Sequence, residues 1–296
     1  MKTNSIKDYF QLHFVVLIAG FTAILGALIS AHSLSIVFFR TFLASAGLFL
    51  YLYLKNVPIK ISVKATWQLL ATGGIIALHW FTFFYAAKIS TVAICLAGFS
   101  TGSLWTSLLE PLWDKRKIRV IEVGLGLMVI VGLYLIFLFE VDHIMGLLVG
   151  IFSAFLSALF SVINAQFAKK HSPQIITFYE MLGASFITFI PVLYLFIQAD
   201  NDFILIPQGL DWLWLCILAF VCTVYAFAEG VELIRKFSAF TFNLTLNLEP
   251  VYGIILAYIF FGEKERMTVG FYAGTFIILI SVLLYPLLKK TKFSNS

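Results

Sequence analysis

KFSAFTFNLTLNLEPVYGIILAYIFFGE, Lys236 to Glu263, decides how the chain is read. The stretch is apolar enough to cross a membrane, yet Asn243, Asn247, Glu249 and Pro250 sit in its middle. A carboxylate at bilayer depth costs several kcal/mol unless a partner, water or a proton relieves it, so such a residue is a functional candidate. Proline removes one helix hydrogen bond and leaves a carbonyl free just where that carboxylate sits. The rest of the chain is the scaffold that makes this stretch tolerable.

Of the 296 residues, 61% are hydrophobic and only 12% charged, with a mean hydropathy of +0.99. A water-facing domain carries about 25% charged residues, so the composition excludes an ordinary soluble fold and indicates a polytopic membrane protein. The net charge of +5 is no nucleic-acid signal, because the basic residues lie in short segments between apolar runs. Cys95, Cys216 and Cys222 all fall inside apolar runs and suggest no disulfide framework. The first apolar run lacks a small-residue cleavage site and reads as a retained helix.

A span needs about 20 apolar residues. Ten runs meet this, at about 10–30, 34–54, 66–87, 91–112, 118–139, 145–168, 174–198, 211–234, 237–261 and 268–288. The connections are short, the longest running from Asp200 to Gln208. With the N-terminus inside, sixteen of the twenty Lys and Arg fall in inside segments and three (Lys88, Lys264, Arg266) outside, while Arg40 lies within a span. That asymmetry predicts cytoplasmic termini.

The chain also reads as a duplication. Lys88-Ile-Ser-Thr-Val-Ala93 resembles Lys236-Phe-Ser-Ala-Phe-Thr241 at an offset of 148 (88 to 236), and Gly126 meets Gly274 at the same offset. Earlier, His32 to Ile36 matches His171 to Ile175 at 139 (32 to 171), and Thr22 to Ser30 matches Ser153 to Ser161 at 131 (22 to 153). The two units are 1–140 and 145–296. Each holds five spans, an odd number, so the second must enter the membrane from the opposite side. Inverted repeats of this kind characterise secondary transporters that alternate access around a midplane site. At the 148 offset Thr101 and Gly102 stand where the second unit has Glu249 and Pro250, so the buried chemistry is not duplicated.

Polar residues inside the spans supply the site candidates. On a continuous ninth helix Thr241, Thr245, Glu249 and Tyr252 fall within an arc of about 80°, on a substrate or proton path, while Asn243 and Asn247 lie on another face and suit interhelical hydrogen bonding. In span 4 Ser100, Ser103 and Ser107 read as a packing face, with Glu110 in an interfacial ion pair with Lys115 or Arg116. Thr22, Gly26 and Ser30 in span 1 answer Ser153, Ser157, Ser161 and Asn164 in span 6, as cavity walls or packing seams. Span 3 offers His79, which can donate and accept hydrogen bonds, and Trp80 within a run of aromatics that could stack on a ligand or form an interfacial belt. Arg40 can snorkel, pair with an acid or anchor an anion. Glu180 lies in the matching region of span 7, one position from Tyr179, which aligns with Arg40. In span 8 Glu229 lies a turn deeper than the interfacial Glu232. These buried acids and one base permit proton coupling.

Glu249-Pro-Val-Tyr-Gly-Ile-Ile-Leu-Ala-Tyr-Ile-Phe-Phe-Gly-Glu263, followed by Gly270 and Gly274, resembles the second-repeat signature of the EamA-type transporters of the drug/metabolite transporter superfamily. Phe39-Arg40 resembles that family's arginine in its second helix. The first unit departs from the pattern, with Gly102, Asp114 and Lys115 where Pro and Gly-Glu are usual and Leu25-Gly26 in place of Trp-Gly. The resemblance implies an all-α fold of ten transmembrane helices in two inverted five-helix repeats. It also implies a central cavity lined by spans 1, 3, 4, 6, 8 and 9, and substrates that include amino acids and other small metabolites, often exported, and drug-like compounds.

The reading is a multi-pass transporter of the cytoplasmic (inner) membrane, secondary-active or facilitative, working by alternating access. Its partners are a small-molecule substrate, the lipid bilayer and, as a coupling ion, protons. No nucleic acid, metal or cofactor is expected, and a single chain can complete the fold. The substrate and coupling candidates are His79, Trp80, Glu249, Thr245, Tyr252, Asn243, Glu229, Asn164, Arg40 and Glu180. The chain has no Gly-x-x-x-x-Gly-Lys-Ser/Thr run for ATP and no His-Glu-x-x-His run for an intramembrane metalloenzyme. A non-transporting scaffold or receptor is the other alternative, and it has no need of buried acids.

Overall fold

The computed structural model describes residues 5–115, 117–139, 141–198, 204–265 and 267–293. Lys2, Arg116 and Arg266 of the charge asymmetry, and Asp200 of the long connection, lie outside the described residues. Helices and turns account for the described secondary structure. In chain order the helices are α1 (Ile6–Leu28), α2 (Ser33–Leu54), α3 (Val63–Ile89), α4 (Val92–Phe99), α5 (Gly102–Asp114), α6 (Val120–Phe139) and α7 (Ile144–Phe167). They continue with α8 (Pro173–Gln198), α9 (Asp211–Cys216), α10 (Ala226–Phe237), α11 (Ala239–Leu246), α12 (Glu249–Phe261) and α13 (Val269–Phe293). A π-helical stretch, Ile217–Tyr225, joins α9 to α10.

Eight helical units are long and apolar enough to cross a membrane, counting α4–α5, α9–α10 and α11–α12 as one unit each. The described parts of α6 and α13 hold shorter apolar stretches, Val120–Ile136 and Val269–Ser281. Side chains on the outer faces are apolar as well: on α8 Phe186, Ile190, Tyr194 and Ile197 are each at least 57% exposed. A soluble protein does not leave such a surface to water; hydrocarbon accepts it.

Two spans are broken in the same way. α4 and α11 are both eight residues long, and α5 and α12 both thirteen. Their starts are related by an offset of 147 (92 to 239, 102 to 249). The same offset links the caps Thr91 and Ser238, which accept from Ile94 N and Thr241 N. It also links the closing residues Lys115 and Gly262, with φ of 51° and 62°. These breaks correct two expectations. The position matching Glu249 is Gly102, not Thr101, because the structural offset is one residue shorter than the lysine match suggested. And Pro250 costs no helical hydrogen bond, since it occupies the first turn of α12, where the backbone N–H has no intrahelical partner anyway.

Small residues bring helices to backbone contact. A Cβ on Gly73 of α3 would run into the Glu180 carbonyl of α8, and one on Gly183 of α8 into the backbone of Leu70. On α6 a Cβ at Gly132 would stand 2.6 Å from the Gly274 carbonyl of α13. Close approach through small residues is how helices associate where lipid removes the hydrophobic incentive. Gly183→Leu is therefore expected to destabilise the protein by about 1–3 kcal/mol through overpacking, read as a lower unfolding midpoint in detergent. Gly124→Ala, at a position with nothing within 4 Å, should leave the midpoint unchanged or slightly higher.

Candidate functional site

A cavity of about 750 Å³, counted to its open mouth, lies among α1, α2, α3, α4, α7, α10 and α11–α12. Its wall includes Thr22, Arg40, His79, Trp80, Phe99, Ser157, Ser161, Asn164, Cys222 and Glu249. Five of the ten candidates, His79, Trp80, Glu249, Asn164 and Arg40, thus line one space.

The two helix breaks lie beside it. At Ser100-Thr101 and Asn247-Leu248 the backbone turns tightly: Thr101 N donates to Gly98 O (3.3 Å), and Leu248 N to Thr245 O (3.0 Å). Asn247 Nδ2 donates to Ser103 Oγ at 2.9 Å and ties the two breaks together, as expected of an interhelical asparagine. Glu249 opens α12, where the positive end of a helix dipole favours a carboxylate. It is 3% exposed and has no hydrogen-bond or ion-pair partner among the described residues.

Arg40 is the cavity's cation. It is 2% exposed, and its guanidinium carbon lies 3.7 Å from the centre of the Trp80 ring. Nε donates to Thr223 Oγ1 at 2.7 Å, whereas Nη1 is buried without a hydrogen-bond partner. Thr223 Oγ1 in turn donates to Leu218 O, five residues back, at 2.8 Å. The π-helical winding thus presents the hydroxyl that holds the arginine. Nothing in the residues announces a π stretch, and Thr223 was not among the candidates.

His79 locks α3 to α7. Its Nδ1 lies 3.0 Å from Ser153 O, and Ser153 Oγ is 3.0 Å from His79 O. A proton on Nδ1 satisfies the carbonyl and leaves the serine hydroxyl to donate to His79 O, which assigns the tautomer by the network. The ring stacks on Phe99 with centroids 5.5 Å apart. Asn164, fully buried, donates from Nδ2 to Glu180 Oε2 at 3.3 Å. Glu180 lies behind it, with Oε1 unpartnered, and does not line the cavity.

The structure does not bring the remaining candidates to the cavity wall. Thr245 Oγ1 donates to Thr241 O, and Asn243 Nδ2 to Ala239 O, each four residues back on its own helix. Tyr252 flanks the place where Gly20 of α1 meets α12, and Glu229 is half-buried on α10. The arc of Thr241, Thr245, Glu249 and Tyr252 presumed an uninterrupted helix; the break rotates its two halves apart. Glu110 has a role that sequence reasoning missed. Its Oε2 accepts from Phe240 N at 2.7 Å and so satisfies an N-terminal amide of α11, beside the cap from Ser238.

At one end of the molecule three distant segments are tied together. Asp211 accepts from Ser30 N (3.0 Å) and Ser30 Oγ (2.7 Å). Lys88 Nζ donates to the carbonyls of Ile29 and Ala31, and His32 N donates to Ile204 O at 2.8 Å. Burial, and then the nearby Lys88 ammonium, hold His32 below the ordinary histidine range. Its neutral Nδ1 accepts from Leu34 N and caps α2.

Apolar helices around a buried cavity that carries charged side chains define a polytopic membrane protein. Residues 144–286 match the model of the EamA-like transporter family. An uncharacterized transporter of Archaeoglobus fulgidus is 28% identical over 152 residues, 50% of this chain and 50% of that protein, so the match spans about half the length of that curated relative. A solved crystal structure superposes with a TM-score of 0.68 over 95% of this chain and 98% of that one; at 16% identity the likeness is one of fold. Just under half of the chain thus resembles the EamA-like transporter family, and the apolar helices are those of a multi-pass membrane protein.

Proposed function

We propose that the chain exports a small metabolite, such as an amino acid, by alternating access across the cytoplasmic (inner) membrane. In this reading ten helices form two inverted five-helix repeats with both termini cytoplasmic. The observation that carries it is the pair of broken helices, eight plus thirteen residues twice over at an offset of 147 (92 to 239), beside a cavity with unpaired charges. The packing supports it too: α1 meets α12 as extensively as α7 meets α5, as two exchangeable halves would. An exchange of halves around one cavity supplies two conformations that open it to opposite sides.

The purified chain in liposomes is expected to carry a labelled metabolite faster than protein-free liposomes, with saturation. If no amino acid or other metabolite in a broad panel does so, with or without an imposed pH gradient, the proposal fails.

A further inference from the structure

We propose that Arg40 is the anchor for a carboxylate on the cavity's ligand, whose apolar body lies against Trp80, Phe160 and Phe227. The inference rests on the cavity's being the place where the transported solute resides. A guanidinium cannot shed its charge at any physiological pH. Buried without a counterion, it costs several kcal/mol. Arg40 nevertheless makes no ion pair among the described residues, although acids lie near the cavity.

Each acid is engaged elsewhere or set apart. Glu180 occupies the eighth position of α8, as Arg40 does of α2 (173 to 180, 33 to 40), yet Glu180 is held by Asn164. Glu249 lines the same cavity without touching Arg40. What Arg40 does have is a face of Trp80 at 3.7 Å and Thr223 on Nε. Both fix the plane of the fork, and both leave Nη1 unused. A side chain so oriented and so incompletely satisfied is prepared for an anion from outside the protein. Beside it the cavity wall carries Trp80, Phe160 and Phe227, with the Phe227 ring 5.7 Å from Trp80 and 5.8 Å from Phe160. That combination fits an organic acid with an apolar or aromatic body better than chloride or an inorganic oxyanion, which has no use for the rings.

The test needs no mutation to begin. Binding to the detergent-purified full chain is measured by calorimetry for 3-phenylpropionate, its neutral amide 3-phenylpropionamide, acetate and chloride at one ionic strength. 3-Phenylpropionate is expected to bind at least about tenfold more tightly than the amide, and more tightly than acetate or chloride. Arg40→Gln should erase the preference for carboxylate over amide, and Arg40→Lys should restore part of it as a charge without a planar fork. Equal binding of acid and amide by the wild type overturns the proposal, as does failure of every carboxylate tested, α-amino acids included, to bind more tightly than chloride. The outcome is separable from transport. Carboxylate binding without flux in liposomes keeps the anchor and sinks the transporter reading, whereas flux that ignores the solute's carboxylate does the reverse.

Discussion

Glu249→Gln is expected to remove the response of transport to a pH gradient while leaving the protein folded. In liposomes with an imposed gradient, uptake by wild type should exceed uptake without one. The variant should lose that stimulation by on the order of tenfold, the ratio that accompanies about 1.4 kcal/mol of lost driving interaction. The reason is the site itself. Glu249 borders the cavity, is 3% exposed, and has no protein partner among the described residues. A carboxylate in that position is relieved by a proton or by a cationic group of the solute, and the two compete for it. Glutamine keeps the shape, cannot ionise and binds neither in the same way. Stability separates this account from a structural one. A glutamate that held helices together would cost stability when replaced, whereas an unpaired acid replaced by a neutral amide should leave the thermal midpoint unchanged or raised. Undiminished stimulation by the gradient in Glu249→Gln would take Glu249 out of the coupling step.

Much of this protein is legible from composition and counting. Runs of about 20 apolar residues mark the spans because no other environment tolerates them. The acid in the middle of Lys236 to Glu263 marks the cavity because burial of charge is expensive. The breaks within spans were not legible: an apolar run reads the same whether its helix is straight or interrupted. Pro250 was visible, but proline marks either a kink or a helix start, and the structure uses it for a start. The offset between the two broken spans was legible only to within one residue. Aligning Lys88 with Lys236 gives 148, whereas aligning the caps Thr91 and Ser238 gives 147. On a helix one residue is about 100° of rotation, enough to exchange Gly102 for Thr101 as the counterpart of Glu249. The partnerships of Arg40 were illegible for a different reason. A buried arginine predicts a buried acid, and Glu180 sits at the corresponding helical position, yet the fold keeps the two apart and gives the arginine a tryptophan face and a threonine held by a π turn.

The second large effect is expected at the tied end of the molecule. Asp211→Asn should speed the reaction of Cys222 with a membrane-impermeant thiol reagent added from that side by about tenfold, in a background where Cys95 and Cys216 are alanine. Cys222 lines the cavity and is 6% exposed, so it reports access to the space that holds Arg40 and Glu249. It shares one buried apolar cluster with Ile29, Ala31, Ile36, Phe84, Leu215 and Leu218, each 1% exposed or less, and Ile29 and Ala31 flank Ser30 of the tied end. That packing opens only if the segments carrying it separate, and the Asp211 carboxylate spans the joint through Ser30 N, Ser30 Oγ and Gln208 N. Hydrogen bonds to a charged group contribute about 1.5–3 kcal/mol each. Asparagine retains one acceptor oxygen and loses the charge, so the closed state should weaken by about one such bond and the open population rise accordingly. The ties at the other end differ in kind. Lys236 with Asp8 (2.9 Å) and Lys169 with Asp114 (3.7 Å) are more exposed to solvent and to screening, and such pairs contribute about 0–1 kcal/mol. Lys236→Ala should therefore change labelling from that end by only about twofold. If instead Asp211→Asn leaves Cys222 labelling at the wild-type rate, the joint at Ser30 is a static contact, and opening at that end must be controlled by the apolar packing beneath it.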